Sequence, residues 1–484
     1  MNTGYHYVGR LRGTGLPWTA FPAERKDPEM SSWADQAIGC APLRLGLSRS
    51  WRRLGHPARR RMCPLYVAGL IGPGERKSLQ PIAARLSPAD YDQLHHFITV
   101  GPGDDGPLEA ELLTQADRLV GGSDAILVID DTALPKKGQL SVGVAPQYAS
   151  ALGKNANCQT LVSLTLAQGE VPVPIALRLF LPETWTNNPD RMRRAGVPDA
   201  FQTERSKPEI ALADLKRALN AGVRFRAVVA DAGYGISAAF RQALSAWGLL
   251  WAVGMPRIQK VYPVDVELIW PPATRGPRRR SPVPNLEAIA AEPMLASARW
   301  RTITWRHGTK GPLKAAFAAI RVRVADGPAV RLHGRNNQHL PGEEAWLVGE
   351  RRSSGERKYS LSNLPPDTDL KRLASIIKAR WVCEQAHQQL KEELGLDHFE
   401  GRSWRGLHRP ALMTRIAFCF LQHQRLAAVP RGKKAKGTTA ATEPSRDPAG
   451  ASQSPVPRPA PTMSLLPSPL QPTAAEQSAK VVLL

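Results

Sequence analysis

The sequence predicts an α/β protein: a mixed sheet with flanking helices, interrupted by a β-rich insertion, preceded by a helical region and followed by a disordered tail. Three observations predict it. Short apolar runs alternate with helical patterns between 123 and 255. A Pro- and Arg-rich break then opens a set of β-like pieces over 256–357. Beyond Val429 the chain is mostly Ala, Pro, Ser and Thr, a composition that buries too little apolar surface to order itself.

Residues 1–62 read as a poorly structured segment ending in the basic cluster Arg49, Arg52, Arg53, Arg59, Arg60 and Arg61. Residues 63–122 carry the helical stretches SLQPIAARL, SPADYDQLHHFI and PLEAELLTQADRLV. Ser87-Pro88 has the order of a helix start, an N-cap followed by Pro at the first helical position. Short helices beside a basic cluster suit a DNA-binding region. They suit a structural cap equally well, because the helices themselves are not markedly basic.

Residues 123–255 begin with the apolar run Ala125–Ile129, a buried strand. Two further runs, Gln159–Ala167 and Val171–Leu181, flank Gln168-Gly169-Glu170 and predict a hairpin. Pro172 and Pro174 argue that the second run begins at a sheet edge or irregularly. A helix (Glu209–Asn220), a strand (Arg224–Ala230), a helix (Ser237–Trp247) and a strand (Leu249–Gly254) follow. Three leading strands and then alternating helices and strands is the order of a ribonuclease-H-like core, which the pattern permits without compelling. The insertion, 256–357, holds the basic loop PPATRGPRRRSPVP and the pieces ARWRTITWRH, AAIRVRV and AWLVGE. The core resumes over 358–428 with KYSLSNL, a long helix from about Asp367 to Leu394 and an apolar helix over Ala411–Leu426. Residues 429–484 are the tail.

A formal charge of +23, from 65 Lys and Arg against 42 Asp and Glu in 484 residues, points to a polyanionic partner. No apolar run approaches the ~20 residues that span a bilayer, and no basic-then-apolar leader is expected at the N-terminus. Cys40, Cys63, Cys158, Cys383 and Cys419 are scattered, with no CxxC pair. Reduced thiols in a bacterial cytoplasmic, nucleoid-associated protein are the expectation, rather than a disulfide framework or a structural zinc site.

Acidic residues stand out by location. Asp130-Asp131 ends the first apolar strand, Asp231 ends RFRAVVA, and Glu384 lies on the long helix. Two-metal phosphodiester chemistry needs hard carboxylate oxygens converging on Mg²⁺ ions about 3.5–4 Å apart. Carboxylates at neighbouring strand ends, with one from a helix, build such a pocket. Each also has an ordinary alternative: a turn former or helix cap for the aspartates, a solvated salt-bridge stripe for Arg380, Glu384 and Lys391 on one helix face. Lys136 and Lys137 could touch phosphate or form a solvated turn. His387, one turn past Glu384, reads as incidental rather than as a ligand.

Arg380-x3-Glu384-x6-Lys391 resembles the C-terminal signature Tyr-x2-Arg-x3-Glu-x6-Lys of the IS-four superfamily of insertion-sequence transposases. The stretches VIDDTALPKKGQLSVGVAPQYASALGKNANCQTLVSLTL, LPETWTNNPDRMRRAGVP and VVADAGYG resemble the IS-seven-oh-one group within it. The resemblance runs from about Arg59 to Gln424. It implies a ribonuclease-H-like catalytic domain with a β-rich insertion before the last acid. It also implies Mg²⁺-dependent cut-and-paste transposition, with Mn²⁺ as a substitute ion. DNA, as terminal inverted repeats and target, is the implied partner, and a homodimer is expected in the synaptic complex.

By position Asp231 is the second acid and Glu384 the third, with Arg380 and Lys391 as phosphate or end-binding partners. The first acid is either Asp130 or Asp131, which point to opposite faces of a strand; "DT" matching favours Asp131, and Asp-Glu in members of the group favours Asp130, toward which the reading leans. The signature's Tyr falls on Ile377. The DNA-binding candidates are completed by Arg278, Arg279 and Arg280 in the basic loop and by Trp305. Trp305 and Trp300 either stack on an unpaired base or, the favoured reading, fill a β-domain core. A nuclease without strand transfer and an inactive DNA-binding descendant are the alternatives to a transposase.

Overall fold

The computed structural model describes residues 54–428, apart from 100, 102, 150–151, 271–280, 309–310, 331–337 and 399–400. Arg49, Arg52, Arg53, the loop arginines Arg278, Arg279 and Arg280, and the tail therefore lie outside the described residues. Four helices open the described residues: α1 (Pro57–Ile71), α2 (Leu79–Leu86), α3 (Tyr91–Thr99) and α4 (Gly106–Val120). The helical region starts earlier than the pattern indicated. His56 caps α1 by accepting from the Ala58 amide, and Pro57 takes the first position, where its missing N–H is no loss.

Twelve strands form one sheet. They are β1 (Ile126–Pro135), β2 (Ala145–Ala149), β3 (Lys154–Gln168), β4 (Val171–Leu179), β5 (Ala227–Ala230), β6 (Leu250–Met255), β7 (Lys260–Pro263), β8 (Ile289–Ala290), β9 (Arg301–Gly308), β10 (Gly311–Val324), β11 (Glu344–Arg351) and β12 (Arg357–Ser362). The order is β8-β7-β10-β11-β12-β6-β5-β1-β3-β2, with β4 paired to β3 and β9 to β10. β5 lies parallel between β1 and β6, while β3 and β4 run antiparallel on the β1 side. β4 pairs with β3 alone, and the ladder shifts register at Leu164/Thr165, opposite Pro174. That is the edge placement its two prolines demand. The strands expected as an insertion extend the same sheet, since β12 pairs antiparallel with β6.

Two sequence expectations need correction. Asp130 and Asp131 do not end the first strand, because β1 continues to Pro135 against β3; what ends at Ile129 is the parallel pairing with β5. The long helix is two: α7 (Leu370–Lys378) and α8 (Trp381–Glu392). At the break the Ala379 amide bonds to the Ile376 carbonyl and the Cys383 amide to the Arg380 carbonyl, a tighter i to i+3 pattern that re-aims the chain. α5 (Lys207–Asn220), which carries a complete Ser206/Glu209 capping box, packs on β3, and α6 (Ala238–Ala246) packs on β6. The last helix, α9 (Trp404–Ala428), packs against β4 and α1. No helix among the described residues is long and apolar enough to cross a membrane.

Candidate functional site

The pleat of β1 sorts its residues. Leu127 and Ile129 join the main core, whereas Val128 packs with Val382 and Cys383 of α8. Period-two alternation then sends Asp130 toward α8 and Asp131 the other way. Parallel pairing places Ile129 opposite Ala230, so the next residues, Asp130 and Asp231, emerge side by side on neighbouring strands. Asp231 caps the single helical turn Ala232–Gly235, its Oδ1 accepting from the amides of Gly233 (2.9 Å) and Tyr234 (3.3 Å). Glycine is required at two places here. A Cβ on Gly235 would lie 1.8 Å from the Gly254 carbonyl oxygen, and one on Gly254 2.8 Å from the Ala232 amide.

Arg380, at the start of α8, joins the carboxylates. Its Nη1 donates to Asp130 Oδ2 at 2.6 Å and its Nη2 to Glu384 Oε1 at 2.7 Å. Burial works against its charge but is outweighed by Asp130, Glu384 and Asp231, so its pKa is raised. Asp130 is buried, and burial first, then repulsion from Asp231 and Asp131, pushes its carboxyl up to about 7 despite Arg380. Glu384 is exposed, at 58% of its side chain. Among the described residues no group of three His, Cys, Asp or Glu stands close enough to hold a metal. A guanidinium occupies the contacts between Asp130 and Glu384.

Asp131 belongs to a different set. Lys207 Nζ lies 2.5 Å from its Oδ2, and the Tyr234 hydroxyl donates to its Oδ1. Burial raises its pKa, with Lys207 and Tyr234 opposing. Since Tyr234 sits in the turn that Asp231 caps, Asp131 clamps that turn and the start of α5 to β1. Sequence reading missed Lys207 and Tyr234; it began the helix at Glu209, two residues past Lys207, and marked neither the capping box nor the long-range pair.

The other candidates fall elsewhere. Lys391 donates to the Ala133 carbonyl at 2.8 Å. Lys137 is exposed just past β1, and the half-buried Lys136 bonds through its amide to the Asn157 carbonyl. His387 is buried, with Nε2 2.8 Å from Ser163 Oγ, and burial, then Lys391 and Arg380, pulls its pKa down to about 3. It is a neutral core residue beneath Asp130. Trp305 is half-buried edge-on to Phe317, with Lys378 Nζ 4.6 Å from its ring centre. Trp300 is likewise packed, under Arg351. In the basic cluster of α1, Arg59 pairs with Asp105 at 3.0 Å, Arg61 with Asp90, and Arg60 bonds the carbonyls of Leu54 and Gly55.

A cleft of about 890 Å³ opens on the cluster. Asp231, Arg380, Trp381 and Glu384 line it, and Ile377, the position of the missing signature tyrosine, lies in its wall. Arg306 covers one face of Trp381 at 3.5 Å.

A family model described as a DDE superfamily endonuclease matches residues 51–312, more than half of the chain. The match includes Asp130, Asp131 and Asp231 and stops short of Glu384. The chain is similar to the "Probable transposase for insertion sequence element IS701" of Microchaete diplosiphon, 31% identical over 169 residues, which cover 35% of this chain and 41% of the relative. It thus spans under half the length of that protein. Among solved structures, a piggyBac transposase synaptic complex with hairpin DNA aligns at TM-score 0.30 and 11% identity, over 85% of this chain and 84% of that one. The NurA nuclease from Sulfolobus solfataricus aligns at 0.20 and 10%, over 66% and 86%. Likenesses as remote as these two carry no weight for function. The family match does, and by it the chain belongs to the DDE superfamily endonucleases.

Proposed function

We propose that the protein is a DNA transposase that cuts at the ends of an insertion sequence and transfers the freed 3′-hydroxyl into target DNA. The observation that carries this reading is the arrangement of Asp130 and Asp231 at register-adjacent positions, with Glu384 tied to Asp130 through Arg380. The sheet order β4-β3-β1-β5-β6, antiparallel on one side of β1 and parallel on the other, supports a ribonuclease-H-like core. Within it Asp130, rather than Asp131, is the first acid.

The donor chemistry fits a hard divalent cation. Asp130, Asp231 and Glu384 offer the hard carboxylate oxygens such an ion takes, and Asp130 and Asp231 emerge side by side on neighbouring strands. These three residues would hold Mg²⁺, or Mn²⁺ in its place. When bound, the ion supplies activation of the attacking oxygen and charge stabilisation at the leaving one. Arg380 has five donors in a rigid fork and can grip a phosphate with the groups it now gives to carboxylates. Asp131, with Lys207 and Tyr234, holds the Asp231 turn in place. The cytoplasmic nucleoid is the site of action this reading implies, with inverted repeats and target DNA as partners and a homodimer as the working assembly.

A nuclease without strand transfer is the second reading, favoured by Ile377, which gives the cleft wall no hydroxyl where the signature has one. Incubating the chain and Mg²⁺ with a labelled DNA end and an unlabelled plasmid separates the two. Label joined to the plasmid is expected; cleavage with no joining would support the nuclease.

A further inference from the structure

The cleft has two kinds of lining. Besides the carboxylate cluster, its wall carries five cationic side chains, Arg257, Arg352, Arg357, Lys358 and Lys378, and two further carboxylates, Glu292 and Glu350. The neighbouring acid Glu356 adds a third partner. Each of these acids serves two cations. Glu292 takes Arg257 (3.7 Å) and Arg357 (3.0 Å); Glu350 takes Arg352 (2.8 Å) and Lys378 (2.9 Å); Glu356 takes Arg352 (2.7 Å) and Lys358 (3.2 Å). The wall is therefore under-neutralised. Its outer heads are also accessible, with Arg257 at 72%, Arg357 at 54% and Lys358 at 45% side-chain exposure. Exposed pairs of this kind are weak and give up their cations readily to a more highly charged partner.

We propose that Arg257, Arg352, Arg357 and Lys358 bind the phosphates of one DNA strand leading away from the carboxylate cluster. This rests on the proposed DNA chemistry of that cluster. A cavity of about 890 Å³ has the dimensions of a small-molecule pocket, which suits one or two nucleotides of a single strand rather than a duplex. The β11–β12 turn places its cations beside the ends of β5 and β6, where Asp231 emerges. A strand whose scissile phosphate lies at Asp231 and Glu384 thus runs directly along them.

The test measures binding of a fluorescent single-stranded oligonucleotide to the full chain by anisotropy, across a range of salt. Each phosphate contact on a single strand contributes about −0.7 to the slope of log affinity against log salt. Replacing Arg352, Arg357 and Lys358 by Ala together is expected to flatten that slope by about one, for the one or two phosphates the cavity holds, while Arg352→Lys with Arg357→Lys keeps it. Glu292→Gln frees Arg257 and Arg357 and is expected to tighten binding several-fold. A wild-type slope in the triple variant, or weaker binding by Glu292→Gln, overturns the proposal. Loss of Asp231-dependent cleavage as a property of the wild-type chain would overturn the function instead, and the slope would still report on the wall.

Discussion

Asp130 and Asp131 share a sequence neighbourhood but have different partners, which makes them separable. Asp130 faces Arg380 and Asp231, whereas both oxygens of Asp131 are taken by Lys207 and Tyr234. Asp130→Asn is expected to abolish Mg²⁺-dependent cleavage. Asp131→Asn is expected to retain measurable cleavage, lowered through a looser Asp231 turn, and Tyr234→Phe to lower it less. Equal inactivity of the two Asn variants, both shown to be folded, would contradict the assignment. His387 supplies a pH prediction. Its pKa in the folded state, about 3, lies below the ordinary value of 6.5 because burial excludes the charged form. The folded protein therefore refuses a proton that the unfolded chain accepts. The stability involved is present above pH 6.5 and is lost as pH falls toward about 3, by up to about 1.4 kcal/mol per pH unit. Denaturant midpoints between pH 6.5 and 4 should fall less steeply in His387→Gln than in the wild type; parallel curves would remove His387 from the acid response.

At the scale of elements, legibility followed how local each signal was. The helices α2 to α6 and the hairpin of β3 and β4 announce themselves by apolar period, by a Ser-Pro start and by paired prolines. β1 was read too short because Asp130, Asp131 and Thr132 interrupt its apolar run; only pairing with β3, distant in sequence, keeps them in the strand. The break between α7 and α8 has no Pro or Gly to mark it, since Ala379 and Arg380 are ordinary helix formers. It is visible only once Arg380 is seen to reach Asp130. Of the candidate site, the acids were legible as charges beside apolar runs, and the pleat alone put Asp130 and Asp131 on opposite faces. Lys207 and Tyr234 were not, because what marks them is a contact and not a pattern. The close approach of Gly235 to β6 gives a test at this scale. Gly235→Ala must push the Asp231 turn off the Gly254 carbonyl. It is expected to destabilise the protein by about 1–3 kcal/mol and to reduce cleavage more than binding. Unchanged stability would mean the turn does not sit against β6 as described.

Across the whole described molecule, buried charge ties the opening helices to the sheet and to α9. Glu109 of α4 accepts from Arg178 of β4 at 2.8 Å, from Arg217 of α5 and from Arg415 of α9 at 3.5 Å, and Arg178 also pairs with Asp214 at 3.1 Å. Arg415 is 1% exposed. Arg409 of α9, fully buried, pairs with Asp105 at 3.0 Å and donates to the carbonyls of Phe97 and Gly101. Removing one partner of a buried pair strands the other, typically at about 3–5 kcal/mol. Glu109→Gln should lower the free energy of unfolding by about that amount, and a loss under about 1 kcal/mol in denaturant titration would show the network to be peripheral. The central claim concerns the carboxylates that this scaffold brings together. It is tested most directly by Mg²⁺-dependent cleavage of labelled end-containing DNA, with DNA binding measured on the same preparations. Asp231→Asn and Glu384→Gln keep size and lose the charge that holds a hard cation. Both are predicted to bind that DNA as tightly as the wild type and to leave it uncut; cleavage by Glu384→Gln at the wild-type rate would contradict the claim and return α8 to a surface salt-bridge helix.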